Sequence, residues 1–475
     1  MSDEKLLIGP RIRRLRQALG LTQMAMAQDL SISTSYLNLI ERNQRPLSAK
    51  VLLRLADTYD IDLAELSPGQ DIQTTQALRE IVKTAAFQGT SISRDEIEDC
   101  VNASPALMQA VVEMHNKLQD YTVRLSMRED PAGDRDQAGL IETANSPVES
   151  VRKFIQDNGN YFDDLDKAAE QLAAKLGVGS NKPQTALSQH LETAHGIRTR
   201  IVPADILPGK LSLFDPHERR LNLSEQLPQS GRRLRIAYQL GMLAHNDMIE
   251  AAIADADLPS KDAKILCRVN LANYFAAALL MPYGRFYDQA EAARYDIELL
   301  SRRFGTSYEQ TAHRLTTLQR KGAAGVPFFF VRVDMAGNVS KRFSGGRFHF
   351  SRYGGACPLW NIHHCFQTPG ESLPQAIEMP DGTRYFSIAR AVLRPGAKYG
   401  QRAQMVAIGL GCEMAHVGRL VYADDFQQAR PTPIGINCYF CERPNCTSRA
   451  HPPLNSALHF DERARGLSIF KFEKN

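Results

Sequence analysis

The sequence predicts a multidomain α+β chain. It is expected to hold an all-α helix-turn-helix DNA-binding domain, a mainly helical peptidase-like domain, and a C-terminal mixed α/β sensor domain with a cysteine cluster. Three observations carry this. At 475 residues the chain is too long for a single hydrophobic core, so several domains are expected. Residues 21–45, LTQMAMAQDLSISTSYLNLIERNQR, hold two helical apolar patterns separated by a polar turn. Beyond residue 326 the pattern changes to strand-length apolar and aromatic runs, PFFFVRVDM, RYFSIARAVL and AQMVAIGLGC. Hydrophobic content is 43%, ordinary for a globular chain, and no apolar run approaches the roughly 18 residues of a membrane span. The opening MSDEKLLIGP lacks the regions of a signal peptide, so a cytoplasmic protein without a membrane partner is expected. Eight cysteines in a reducing compartment point to metal or catalytic roles ahead of disulfides.

The first domain is expected over residues 1–68. Leu21, Met24, Ala27 and Leu30 recur at helical spacing, as do Tyr36, Leu37 and Ile40. Thr22 is the expected N-cap of the first helix, and Ser33 or Thr34 that of the second. A short helix, a tight turn and a second helix with a polar face form the helix-turn-helix pattern, whose second helix fits a major groove about 12 Å wide. From Ile8 to Arg54 eight basic residues stand against Asp29 and Glu41, a balance of +6, whereas the whole chain carries +4. The basic excess therefore sits where phosphates would be met.

Leu21-Thr22-Gln23, Ser35-Tyr36-Leu37-Asn38 and Ile40-Glu41-Arg42-Asn43 resemble the XRE-type (Cro/CI-like) helix-turn-helix family. The resemblance implies that Gln23 contacts phosphate and buttresses the recognition helix. It implies that Ser33, Thr34, Ser35 and Asn38 face base edges, and that Arg42, Asn43 and Arg45 meet phosphates. Tyr36, Leu37 and Ile40 are expected in the core.

Residues 69–150 read as a helical linker and dimerisation region, with 128–148 polar and proline-containing. Leu107, Val111, Met114 and Leu118 form an apolar stripe. It is expected to pair with a second copy, giving a homodimer or higher homo-oligomer on a double-stranded DNA operator, or to pack on the chain's own next domain.

Residues 151–322 read as mainly helical, with short strands near Ile197–Val202 and Arg220–Leu223. RRLRIAYQLGMLAHN (232–246) and NLANYFAAALLMP (270–282) resemble the ImmA/IrrE family of zinc metallopeptidase-like domains. That family carries His-Glu-x-x-His on its first helix, two histidines on one face for zinc and a Glu to polarise the bound water. Here Tyr238, Gln239 and Met242 stand in those slots, and none of Cys267, Arg268, Val269, Asn270 and Leu271, leading into the second phrase, is acidic. A phenol and a thioether are poor zinc ligands and an amide is no general base, so no enzyme is expected.

Residues 323–475 form the fourth expected unit. PFFFVRVDM, a Gly337-Asn338 turn and VSKRFSGGRFHFSR read as a β-hairpin followed by more strands. Cys438-x2-Cys441-x4-Cys446 is the strongest metal signal in the chain. A fourth ligand is open: Cys412 would make four thiolates for zinc or an iron–sulfur cluster, His451 a zinc-knuckle-like set, and Cys357 is a further candidate. Cys100 and Cys267 are expected as small core residues, and Cys365 lies beside His363 and His364.

The phrases AGNVSKR, GGACPLWN, RYFSIAR, GLGCE, LVYAD, PIGINC and CERPNC with RAHPP resemble the C-terminal domain of short-chain acyl-CoA-sensing regulators of the RamB/ScfR/PrpR type. This resemblance spans essentially the whole chain. It implies a transcriptional regulator of propionate, acetate and glyoxylate metabolism controlled by a short-chain acyl-CoA. It also implies, for at least part of the family, a 4Fe–4S cluster held by C-terminal cysteines, for which Cys412, Cys438, Cys441 and Cys446 are the candidate ligands, with zinc as the alternative. Acyl-CoA needs cations for its phosphates and an apolar slot for its acyl chain. Lys341, Arg342, Arg347 and Arg352 are candidates for the first, and Phe343, Phe348, Phe350 and Trp360 for the second, although alternating Arg and Phe is also ordinary sheet patterning. The alternatives are a redox or iron sensor working through the cluster and, disfavoured by Tyr238, Gln239 and Met242, a zinc metallopeptidase.

Overall fold

The structure is a computed structural model that describes residues 9–59, 71–82, 92–118, 147–459 and 471–472, apart from 43, 46, 106, 117, 179–182, 255, 347, 349, 351–356, 395–399, 401–402, 425, 427–429, 436–437, 442, 445 and 454–457. The chain divides into two compact units, residues 1–134 and 135–475.

The first unit opens with α1 (Gly9–Ala18), α2 (Gln23–Asp29), α3 (Thr34–Glu41) and α4 (Ala49–Tyr59). Thr22 Oγ1 accepts from the Ala25 amide at 3.2 Å and Ser33 Oγ from the Tyr36 amide at 3.1 Å, so both helices start where their caps dictate. Ile12, Met26, Ala27, Leu30, Leu37, Ile40, Leu47, Val51 and Leu55 form the core. One expectation fails: Met24 is 71% exposed and Met26 is buried instead. With α2 starting at Gln23, the inward face is 26, 27 and 30, and Met24 turns outward.

Next come α5 (Asp71–Val82), α6 (Arg94–Ala103) and α7 (residues 107–116). Leu78, Ile81, Ile97 and Val101 make a small core on which Met108, Val111 and Val112 lean. The stripe splits: Val111 joins this core, while Leu107 and Met114 are 60% and 66% exposed. Cys100, expected in the core, is exposed, because Ile97 and Val101 supply the buried face of α6.

The second unit begins with α8 (Pro147–Asp157), α9 (Asp163–Leu176) and α10 (Pro183–His195). A three-stranded sheet follows, ordered β1 (Arg198–Val202), β3 (Arg220–Ser224), β2 (Ser212–Asp215), with β1 parallel and β2 antiparallel to β3. Helices α11 (Gln229–Ala244), α12 (Asn246–Ala254) and α13 (Lys261–Leu280) close a core that contains Leu221, Leu223, Ile236, Leu240, Cys267, Leu271 and Phe275. Next are α14 (Tyr283–Ala292), α15 (Ile297–Phe304) and α16 (Tyr308–Leu315).

These three helices pack on a six-stranded sheet ordered β5-β4-β8-β7-β6-β9. Its strands are β4 (Phe329–Asp334), β5 (Val339–Ser344), β6 (Leu373–Glu378), β7 (Arg384–Leu393), β8 (Met405–Glu413) and β9 (Thr432–Pro433), with α17 (Asn361–His364) between β5 and β6. Gly337, at φ 88°, closes the expected β4–β5 hairpin in a backbone conformation suited to glycine. Both faces of the sheet are covered. Phe330, Phe343, Phe386, Ile388, Ile408, Leu410 and Cys412 meet the helices, whereas Phe329, Val331, Val333, Phe348, Trp360 and Ala407 form the other core. A Cβ at Gly411 would come within 2.3 Å of the Phe329 ring and 2.4 Å of the Phe386 carbonyl oxygen. Glycine there lets the ring cross the strand.

One core joins α14–α16 to the sheet, so residues on both sides of position 322 share it. A charged pin also ties this unit together. Arg314, fully buried on α16, donates to both carboxylate oxygens of Asp166 on α9 at 2.9 and 2.6 Å, to the Met281 carbonyl at 3.1 Å and to the Thr317 hydroxyl at 2.8 Å. Tyr274 of α13 donates to the same carboxylate at 2.5 Å. The described residues contain no single helix long and apolar enough to cross a membrane, and the bent pair α13–α14 that passes by length and composition turns by 65° between its halves.

Candidate functional site

The recognition helix is built from α3 and the groups that brace it. Ser33, Thr34 and Ser35 are exposed at its start and Asn38 is half-buried one turn on, while Leu37 and Ile40 anchor its inner side. The exposed side is therefore short and polar, and can approach base edges. Arg42 and Arg45 are exposed just beyond the helix; Asn43 lies outside the described residues. Gln23 does not stand free. Its amide donates to Glu41 Oε2 at 2.7 Å, while Arg16 donates to Oε1 at 2.6 Å and Oε2 at 3.1 Å. Glu41, an acidic debit when charges are counted along the sequence, is a buried carboxylate that locks α1, α2 and α3 together. Burial opposes its ionisation, but the hydrogen bonds from Arg16 and Gln23 and the nearby charges of Arg16 and Arg13 outweigh this and hold its pKa below the usual value. Gln23 thus buttresses the helix through Glu41.

The peptidase-like helix α11 keeps the fold but not the ligands. Gln239 is buried, while Tyr238 and Met242 are half-buried against the helical core. The Arg235 guanidinium lies 5.6 Å from the centre of the Tyr238 ring. Arg268, ahead of the second phrase, bonds Glu250 of α12. His245 caps the end of α11 and packs on Phe275 at 4.6 Å between ring centres, with its pKa lowered by burial and by His195.

The cysteines form a pocket whose membership differs from the expected one. Cys357, Cys438, Cys441 and Cys446 line a single pocket with Pro433, Gly435, Arg443 and Arg449, holding about 300 Å³ of space not filled by atoms, part of it open to solvent. Cys412 does not belong to it. It sits on β8, pairs with Phe386, and points into the core between sheet and helices, where burial pushes its thiol up to about 12. Cys357 packs on the opposite face of the sheet. Strand parity decides the side of Cys412, since neighbouring positions on β8 face opposite sides. His451 stacks on Tyr439 at 4.6 Å and is not among the pocket's lining residues. Two arginines hold the loop. Arg449 donates to the carbonyls of Cys438 (2.8 Å), Cys441 (2.6 Å), Arg443 (3.0 Å) and His451 (3.3 Å). Arg443 donates to those of Ile434 (3.2 Å), Glu378 (2.8 Å) and Met379 (2.9 Å), stitching the loop to the edge of the sheet. Among the described residues, no three His, Cys, Asp or Glu side chains gather in a way that could hold a metal ion. The Cys357 thiol is raised by burial, against which the amides of Gly435 and Leu359 work.

The expected acyl-CoA residues are scattered. Lys341 lies on the helix-covered side of β5, and Arg342 lies 3.8 Å from Glu149 of α8. Arg347 and Arg352 fall outside the described residues. Phe343 faces the helices, whereas Phe348, Phe350 and Trp360 cluster around Phe329 on the opposite side, the Phe329–Phe348 rings stacked at 4.0 Å. The four aromatic side chains therefore do not wall one slot.

Residues 7–68 match a family model described as a helix-turn-helix domain, 192–316 one described as IrrE N-terminal-like domain, and 317–470 one described as short-chain fatty acyl coenzyme A regulator, C-terminal. The HTH-type transcriptional regulator RamB of Mycobacterium tuberculosis is 40% identical over 472 residues, 98% of each chain. The propionyl-CoA carboxylase regulator of Cereibacter sphaeroides is 39% identical over 465 residues, again 98% of each. The HTH-type transcriptional regulator PrpR of M. tuberculosis is 38% identical over 460 residues, 96% of this chain and 94% of that one. A solved structure described as a Mycobacterium tuberculosis transcriptional regulator superposes with a TM-score of 0.66 at 39% identity, covering 68% of this chain and 99% of its own.

Proposed function

Since the chain belongs to the family of RamB- and PrpR-like transcriptional regulators, we propose that it binds a specific operator through α3 and changes that binding when a short-chain acyl-CoA occupies the second unit. The observation that carries the DNA-binding half is α3 itself: exposed Ser33, Thr34 and Ser35 beside Asn38, with Arg42 and Arg45 following, on a helix braced by Glu41. The metabolic half rests on the regulator domain over residues 317–470. An effector acts only through different affinities for the DNA-competent and DNA-incompetent states. The test is a titration of full-length protein on an operator selected from random-sequence DNA, with propionyl-CoA, acetyl-CoA and free CoA as effectors. A shift in apparent affinity with the acylated forms is expected. No shift at millimolar ligand would sink the sensor reading. A dimer is part of the proposal, supported by the outward Leu107 and Met114 at heptad spacing on α7.

A second reading, a redox or iron sensor, is favoured by one observation: four cysteines share a pocket that two arginines hold in shape. A 4Fe–4S cluster takes four thiolates around its own body, and four cysteines line this pocket. Cys357, Cys438, Cys441 and Cys446 would hold it, and it would supply one-electron chemistry or sensitivity to oxidants. Anaerobically purified protein is expected to show broad visible absorption that Cys357→Ser removes and Cys412→Ala leaves. The opposite pattern would restore Cys412 as the ligand, and a colourless protein with one bound zinc would replace the cluster.

A further inference from the structure

Residues 438–451 carry three of the four pocket cysteines and little regular structure; among the described residues it is one short 3-10 turn, Cys438–Phe440. Short cysteine-bearing loops commonly take their fold from a bound metal and lose it when the metal leaves. Here the backbone carbonyls are met by an arginine. Arg449 is buried, and its two terminal nitrogens divide four carbonyls between them. Nη1 donates to those of Cys438 and His451, and Nη2 to those of Cys441 and Arg443. The Tyr439 and His451 rings stack within 12° of parallel, so the two ends of the stretch also meet. Cys357 is fixed separately: it is buried in the sheet core, and its carbonyl accepts from the Trp360 amide at 3.0 Å. Arg443 fastens the loop at the sheet edge through the Ile434, Glu378 and Met379 carbonyls.

We propose that Arg449 is a positioning residue that assembles the cysteine pocket without any metal, so that an iron–sulfur cluster can leave and return while the loop stays folded. The site is then suited to reporting its own occupancy, because the domain does not depend on it for its fold. The inference rests on the cluster reading above for the group that occupies the pocket, though not for the assembly of the pocket itself.

The chemistry of the side chain suits this role. A guanidinium offers several N–H donors in a fixed planar fork and stays charged in proteins. Carbonyls in an irregular loop need donors, and donors on the chain itself do not dissociate. Two of the four carbonyls belong to Cys438 and Cys441, so the backbone that carries these thiols is held directly. Arg443 and Arg449 also place two cations in the lining of a pocket whose sulfurs repel one another once deprotonated. A lysine carries a single nitrogen and cannot span two pairs of carbonyls, so it would replace the charge but only part of the bonding.

The test compares full-length protein in two states, emptied with EDTA and a reductant, and reconstituted anaerobically with ferrous iron and sulfide. Hydrogen–deuterium exchange reports on 438–451, with the β7 and β8 peptides as internal controls for folding. In the wild type, the same protection of 438–451 is expected in both states. Arg449→Gln should speed exchange there in the emptied state by at least about tenfold, the effect of losing one hydrogen bond from a charged group. It should also slow or abolish iron uptake, with β7 and β8 unchanged. Arg449→Lys, which keeps the charge, should restore part of both and is read in the same way. Emptied wild type that exchanges at 438–451 as fast as Arg449→Gln would show that the metal assembles the loop, and overturns the proposal. Iron uptake by Arg449→Gln at the wild-type rate overturns it too. Wild type that takes up no iron, yet keeps a protected loop that Arg449→Gln loses, upholds the positioning role and sinks the cluster reading instead.

Discussion

Replacing Asp166 with alanine is expected to remove about 3–5 kcal/mol of stability from the 135–475 unit, the cost of leaving a buried charge without its partner. Asp166 and Arg314 are both fully buried, and their two hydrogen bonds join α9 to α16. Without the carboxylate, the Arg314 guanidinium keeps the Met281 carbonyl and the Thr317 hydroxyl but has no counter-charge. Tyr274 loses its acceptor as well. Asp166→Leu with Arg314→Met should be less damaging than either single change, because it removes both desolvated charges. The measurement is the urea midpoint of full-length protein, followed together with amide exchange in residues 163–176 and 308–315. Two single variants and a double variant that simply add would refute coupling, and an Asp166→Ala loss under 1 kcal/mol would show that the pin is not needed.

Replacing Glu41 with alanine is the second large effect, on the order of 3 kcal/mol from the helix-turn-helix. Arg16 and Gln23 would lose a common acceptor in a domain whose core rests on a few small helices. Loss of operator affinity should follow although Glu41 is buried away from solvent, because α3 loses its brace. The pH dependence has a definite sign. The folded carboxylate titrates below its unfolded value of about 4.3, so its stabilisation is fully present above that value and is lost as pH falls through the depressed folded one. Unfolding between pH 7 and pH 3 should therefore show an acid-side loss that Glu41→Gln flattens. Operator affinity can be followed by fluorescence anisotropy. A midpoint within about 0.5 kcal/mol of the wild type in Glu41→Ala would remove the brace from the account.

Local features were readable along the chain. The caps Thr22 and Ser33, the Gly337 hairpin, the strand runs at 384–393 and 405–413, and the Cys438/Cys441/Cys446 loop depend on residues a few positions apart. The resemblance of the whole chain to its family was equally legible. Features that depend on parity and on long loops were not. Cys412 looked like a fourth ligand by residue type, but one step along β8 decides which side of the sheet a thiol faces. Cys357 reaches the pocket from 81 residues before Cys438 in sequence order, a separation that no local spacing rule spans. Lys341 and Arg342 are neighbours in sequence, yet only one of them shares the buried face with Arg332.

The sequence by itself determined that this chain carries a helix-turn-helix domain, a peptidase-like scaffold with Tyr238, Gln239 and Met242 in the ligand slots, and a regulator domain with a cysteine loop. The tertiary structure alone decided which charges are spent inside: Glu41 on Arg16 and Gln23, Asp166 on Arg314 across 148 residues, and Glu309 on Arg332, with Lys341 beside them. The physical reason is that a charge's role depends on its desolvation and its nearest partner, and both are set by chain segments that meet only after folding.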